Sequence, residues 1–146
     1  MAERDRLSVV LLSGAFERVH YALCMASAAA ALGRPVTLFV TLSALRAFVA
    51  EDAQGRPGWL RLPIAEDLAG PEVADGGALD ARYRARGIAG FEELLEACRG
   101  LEVEFMVCEM GMRALGLEPG GLRADLELQP GGLATLLARG GHTVVL

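Results

Sequence analysis

Two unbroken apolar runs, Leu7-Ser8-Val9-Val10-Leu11-Leu12 and Val36-Thr37-Leu38-Phe39-Val40-Thr41, flank an alanine-rich helical stretch at 17–32. A strand that is apolar on both faces has to be covered on both. A helix between two such strands returns the chain so that they run parallel. Val19, Leu23, Ala26 and Ala30 share one face of that helix, where small side chains permit close packing on a sheet. Gly33 closes it and Pro35 follows, the expected stop signals.

The alternation continues. A helix is expected over 42–50, a second over 88–98 closed by Gly100, a strand over 101–107 and a helix over 109–115. Leu122, Ala124, Leu126 and Leu128 alternate with Arg123, Asp125 and Glu127, the pattern of a half-exposed strand near a sheet edge. A short helix over 131–139 and a strand over 143–146 complete the chain. Short connections between these elements predict an α/β fold: a three-layer, parallel five-stranded sheet with helices on both faces, flavodoxin-like or Rossmann-like.

At 146 residues, 1–146 is read as a single domain, long enough to bury a real core. One segment breaks the rhythm. Residues 51–87 hold Gly55, Pro57, Gly58, Pro63, Gly70, Pro71, Gly76 and Gly77, so this Gly/Pro/Arg-rich insertion reads as a lid, an oligomer contact or a partly disordered loop. It ends in Arg82-Tyr83-Arg84-Ala85-Arg86, either a solvated basic loop or arginines reaching over a crevice toward an anion.

Charge removes several classes of function. The net charge of −5 speaks against nucleic acid, which selects basic faces. All 14 basic residues are arginine, so lysine Schiff bases, lysine general bases and the phosphate-loop lysine are excluded. Gly111 and Gly116 have phosphate-loop spacing, but Leu117-Glu118 follows where Lys-Ser/Thr is required. No run of about 18 uncharged apolar residues reads as a membrane span. The start, Met1-Ala2-Glu3-Arg4-Asp5-Arg6, mixes charge signs, unlike a signal-peptide core. Three widely spaced cysteines do not make a secreted disulfide framework, so a reducing, cytoplasmic setting is expected.

Chemistry concentrates in Phe105-Met106-Val107-Cys108-Glu109-Met110-Gly111-Met112. The apolar strand runs straight into Cys108, and a helical pattern begins at once. That places the thiol beyond the carboxyl end of a strand, where ligand crevices of open α/β sheets lie. It also places it at a helix N-terminus, a siting that favours thiolate. The plainer reading is a buried small hydrophobe, since free cysteine is among the most buried residue types. Glu109 opposes ionisation of its neighbour, and Arg113, one turn on, is placed to pair with Glu109. Cys108 is expected to be the fastest of the three thiols to alkylate.

The other reactive groups are weaker candidates. Cys98 continues the stripe Ile88, Phe91, Leu94 and should pack in the core. His20 and Cys24 stand at i,i+4 and could touch, as an activated thiol or half a metal site, but no further ligand lies nearby and no metal is expected. Glu92, Glu93 and Glu96 read as a solvated helix face. The Ser13-Gly14 turn, before a helix, is a candidate anion site.

The chain resembles the DsrE/DsrF-like sulfur-relay family (DsrE-like and TusD-like proteins, with some members loosely named "peroxiredoxin-like"). Ser13-Gly14 with Glu17-Arg18-Val19 and the alanine-rich helix resembles its first strand–helix unit, and Val36 to Thr41 its second strand. Phe91-Glu92-Glu93-Leu94-Leu95, the Val103 to Met112 stretch, Gly116-Leu117, Leu122 and Gly131-Gly132-Leu133-Ala134-Thr135-Leu136 carry the rest. Many similar proteins have a methionine-rich loop and a Trp-Gly pair after the second strand, where this chain has Leu42-Ser43-Ala44-Leu45.

The resemblance implies that Cys108 accepts and passes on sulfur as a persulfide; Glu109, Met110, Met112 and Arg113 around it are candidate supporting or binding residues, as is His20. It implies sulfur donor and acceptor proteins as partners and assembly into homotrimers, hexamers or hetero-assemblies, while a homo-oligomer as small as a dimer also fits; no cofactor is expected. Thiol exchange of this kind needs a thiolate and little other machinery. The alternative is a small-anion or nucleotide-binding module without turnover, using Ser13 and Gly14. A third reading, thiol peroxide reduction, requires Cys24 or Cys98 to reach Cys108 as a resolving thiol.

Overall fold

The computed structural model describes residues 5–146; the N-terminal Met1 to Arg4, part of the signal-peptide reading above, lies outside the described residues. Five strands form one sheet: β1 (Leu7–Leu11), β2 (Val36–Val40), β3 (Glu104–Cys108), β4 (Leu128–Gly131) and β5 (His142–Val145). Every pairing is parallel, in the spatial order β4-β3-β2-β1-β5. Among the described residues the named α-helices are α1 (Phe16–Ala31), α2 (Gly76–Ala85), α3 (Phe91–Gly100), α4 (Glu109–Leu115) and α5 (Leu133–Ala138).

Side-chain alternation along the strands divides the core in two. Val9, Leu11, Leu38, Val40, Phe105 and Val107 face α1 and α3 in the larger cluster, with Phe16, Phe48 and Phe91 filling its centre. Val10, Phe39, Met106 and Cys108 face the other way, onto Leu136 of α5. Behind α5, Arg139 forms an ion pair with Glu104 on β3, and its Nη1 donates to Thr37 Oγ1 on β2 at 3.1 Å. The helix is thereby pinned across two strands. The three-layer parallel α/β fold expected from the sequence is the fold observed.

Several boundaries moved, each for a local reason. The strand expected over 122–128 is a loop up to Leu128. Leu122 makes one antiparallel bridge to Val49, and Leu122 and Leu126 are buried without a ladder. The alternation recorded burial, while the intervening Arg123 is tied to Asp125 at 2.7 Å instead of facing a partner strand. The edge strand on this side, β4, includes Pro130, which an edge tolerates. The helix expected from residue 88 begins at Phe91, where the Asp80 carboxylate accepts the Phe91 N–H at 2.7 Å, and Ile88 is exposed. The 42–50 helix is a 3-10 helix, Leu42–Phe48. Strand β3 begins at Glu104 rather than Leu101, and α5 at Leu133, because Gly131 is spent pairing with Cys108.

The 51–87 insertion is more ordered than its composition predicts. It carries a 3-10 turn, Gly58–Arg61, and the whole of α2, whose start is capped by the Asp75 side chain accepting from Ala78 N at 2.9 Å. Trp59 stacks on Phe91 with ring centroids 4.8 Å apart and donates through Nε1 to Glu92 Oε1 at 2.8 Å. Gly76 is required by close approach: a Cβ there would stand 2.5 Å from the Trp59 carbonyl oxygen.

Candidate functional site

Strand β3 delivers Cys108 to the C-terminal edge of the sheet, and α4 starts on the next residue. Cys108 is the N-cap of α4, and its Sγ accepts the Gly111 N–H at 3.4 Å. Gly111 is constrained by its surroundings: a Cβ there would stand 2.5 Å from Thr41 Oγ1 and 2.7 Å from Leu42 N. The backbone of α4 therefore lies directly against the end of β2. Met112 is buried, whereas Glu109, Met110 and Arg113 point to solvent, Met110 with 63% of its surface exposed.

Two readings of this junction find no support in the structure. Cys108 is only 4% exposed, covered on the α5 side with Val10, Phe39, Met106 and Leu136 as neighbours. Cys24 is the most open of the three thiols, so exposure does not favour Cys108 as the first to alkylate. Arg113 and Glu109 are both exposed, and no ion pair joins them among the described residues.

The remaining candidates lie elsewhere. At the Ser13-Gly14 turn the N–H groups of Ser13, Ala15 and Phe16 are already in use. Ser13 Oγ accepts Ala15 N at 3.2 Å, Phe16 N donates to the Pro63 carbonyl at 2.9 Å, and Ser13 N donates to that of Leu146. The Glu17 carboxylate occupies the first turn of α1 and accepts Ala65 N at 3.0 Å. A turn filled in this way has little to offer an anion. Gly14 serves packing instead, since a Cβ there would meet the Ser43 carbonyl oxygen at 2.7 Å.

His20 and Cys24 do touch. His20 Nε2 lies 2.8 Å from the Ala89 carbonyl, the partner that calls for a proton on Nε2. Nδ1 is then free to accept from Cys24 Sγ, 3.7 Å away. Burial nevertheless pushes the Cys24 thiol up, and it pushes Cys98 up to about 12. Both cysteines belong to the α1–α3 layer, whereas Cys108 faces α5, so the sheet stands between them and Cys108. Neither reaches it as a resolving thiol within one chain.

The basic run 82–86 is likewise on the far layer. It ends α2, with Arg84 on Asp80 at 3.1 Å and Tyr83 edge-on to His20 at 4.8 Å, and does not fold over Cys108. Glu92 is not simply solvated, since both of its oxygens take Arg123 at 3.0 Å. Among the described residues, no three His, Cys, Asp or Glu side chains converge as a metal site requires. No helix among them is long and apolar enough to cross a membrane.

The site defines a class: a three-layer parallel α/β domain whose one thiol at the functional edge of the sheet sits at a strand–helix junction. Comparison with known proteins agrees. The chain is 26% identical over 122 residues to the sulfur carrier protein DsrE2 of Allochromatium vinosum, covering 74% of this chain and 76% of that one. The crystal structure of the ychN protein from E. coli shares the fold, with a TM-score of 0.55 over 97% of this chain and 99% of that chain at 14% identity. No family model matches the chain. The resemblance to the DsrE/DsrF-like sulfur-relay family is borne out by the DsrE2 relative, and the fold by the ychN structure.

Proposed function

We propose that this protein is a sulfur carrier that holds a persulfide on Cys108 and hands it to an acceptor thiol. The observation that carries the reading is the place of Cys108, at the C-terminal edge of the sheet with a backbone N–H directed onto its sulfur. The sulfur carrier DsrE2 as a relative supports the same chemistry.

The exchange is balanced and needs no cofactor. The Cys108 thiolate attacks the outer sulfur of a donor persulfide, R–S–S–H. The new S–S bond forms as the donor's S–S bond breaks, leaving Cys108–S–S–H and the donor thiolate R–S⁻. An acceptor thiolate then attacks the outer sulfur, takes it as its own persulfide and restores the Cys108 thiolate. Donor and acceptor are proteins that present a cysteine to the sheet edge beside Met110.

Burial of Cys108 sets a condition on this cycle. With Cys108 only 4% exposed, its sulfur is reached only when its cover shifts, and that cover includes Leu136 of α5. Burial also protects a loaded sulfur from stray thiols. The chain further assembles with copies of itself through the outer surface of α5, where Leu133 and Leu137 are 52% and 57% exposed. Persulfide exchange suits a reducing, cytoplasmic compartment, and all three cysteines are free thiols.

The competing readings have less support. Anion binding at Ser13-Gly14 finds the N–H groups of Ser13, Ala15 and Phe16 occupied and the Glu17 carboxylate in the first turn of α1. Peroxide reduction finds no resolving thiol on the Cys108 side of the sheet. The deciding experiment is intact-mass spectrometry after incubation with a polysulfide donor. Wild type should gain the mass of a sulfur atom at Cys108, and Cys108→Ser should fold normally and gain none at that position. Loading that survives Cys108→Ser unchanged would place the carrier thiol elsewhere.

A further inference from the structure

Thr41 is the next residue after β2, in extended backbone with φ −142° and ψ 162°. It therefore continues the alternation that turns Phe39 to the Cys108 side of the sheet. Val40 pairs with Val107, so Thr41 and Cys108 are the next residues along two neighbouring strands. The side chain of Thr41 is a buried anomaly. The residue is 4% exposed, and its Oγ1 has no hydrogen-bond partner among the described residues. A buried hydroxyl left in this state destabilises the fold, and such groups call for an explanation.

The position of that hydroxyl supplies one. Thr41 Oγ1 lies 2.5 Å from the point a Cβ on Gly111 would occupy. Gly111 is also the residue whose N–H rests on Cys108 Sγ. A hydroxyl and a sulfur thus abut one glycine, and only glycine leaves that space open. The next residue, Leu42, is held at φ 48°, a left-handed backbone that a leucine adopts under strain. The chain thus maintains two unfavourable features, an orphan hydroxyl and a strained leucine, beside the glycine whose N–H rests on the thiol.

We propose that the Thr41 hydroxyl donates a hydrogen bond to the outer sulfur of the Cys108 persulfide, making Thr41 the positioning residue of the loaded carrier. The inference rests on the persulfide reading above. An outer sulfur stands about 2 Å beyond Sγ. It carries the negative charge of the ionised persulfide, and a hydrogen bond to a charged partner is worth more than one between neutral groups. In the unloaded protein the donor has nothing to serve; loading gives it a partner.

The test compares wild type, Thr41→Val and Thr41→Ser, each loaded with a small alkyl persulfide. Intact mass follows sulfur retention after addition of a small thiol, and alkylation rate against pH reports the ionisation of the persulfide. Thr41→Val should load, lose its sulfur on the order of tenfold faster, and ionise at higher pH. Thr41→Ser should behave as wild type. Without sulfur, Thr41→Val should melt higher than wild type, because the orphan hydroxyl is gone; should it fail to fold, Thr41→Ala takes its place.

A wild-type protein that loads while Thr41→Val matches it in retention and pH profile overturns the role of Thr41 and leaves the carrier reading intact. Thr41→Ser losing sulfur as fast as Thr41→Val assigns the effect to packing and overturns it equally. A wild type that takes no sulfur at Cys108 removes both.

Discussion

Cys98 and Cys108 show how far one residue type diverges with its surroundings. Cys98 on α3 is fully buried, 3.6 Å from the Leu23 carbonyl, and burial pushes its thiol up to about 12. An acid whose folded value lies above its ordinary 9.0 keeps its proton longer when folded. The stability it contributes is present below pH 9 and is lost as pH rises toward 12. Cys24 and Tyr83, also raised by burial, add to the same alkaline loss. Urea titrations across this range should show wild type losing stability steeply, and Cys98→Ala should lose it with a shallower slope. Parallel slopes would remove Cys98 as a cause.

The position of Cys108 was legible in the sequence, because a strand period meets a helix period at that residue. Its burial followed only from the general habit of free cysteine, and its cover was not legible, since Leu136 comes from a distant helix. The His20–Cys24 contact followed from helical spacing alone. Nothing local distinguished the Thr41 hydroxyl from that of any other threonine near a strand end.

Among the elements, helix endings were read best where the chain uses glycine. Gly33 closes α1 at φ 84° and Gly116 closes α4 at φ 66°. The end of α3 was misread, because the left-handed position falls on Glu102 at φ 61° and not on Gly100. The backbone there is a Schellman arrangement: Glu102 N donates to the Arg99 carbonyl and Val103 N to that of Cys98. Glutamate in this conformation is strained in a way that glycine is not. Glu102→Gly should therefore stabilise the protein by about 0.5–1 kcal/mol, read as a higher urea midpoint at unchanged slope. A lower midpoint would mean that the entropy glycine adds to the unfolded chain outweighs the relieved strain.

Helix α2 is concealed in the sequence for the opposite reason. Gly76 and Gly77 resemble breakers, yet they open the helix behind an Asp75 cap and admit Trp59 at close range. Tertiary packing decided that segment against its composition.

At the scale of the molecule the two faces of the sheet are unequally covered. One carries α1 and α3 over a core of fully buried aromatic rings, while the other carries α5, a helix of six residues. Leu136 of α5 reaches the sheet, and the Arg139–Glu104 pair pins its end, but Leu133 and Leu137 turn outward. Val145 on the edge strand β5 is 58% exposed, and its neighbour Val144 packs on the opposite, larger cluster. Large side chains exposed on both elements of the thinly covered side are the surface that a second copy would bury. Assembly there would also hold α5 down over Cys108, coupling oligomer formation to protection of the thiol. The double change Leu133→Glu with Leu137→Glu should lower the mass seen by light scattering to that of a single chain. It should also speed alkylation of Cys108, with the melt of the monomeric fold changed little, since both side chains already face solvent in one chain. If wild type is itself monomeric, or the double variant keeps its mass, this face is not the contact and α5 alone guards the site.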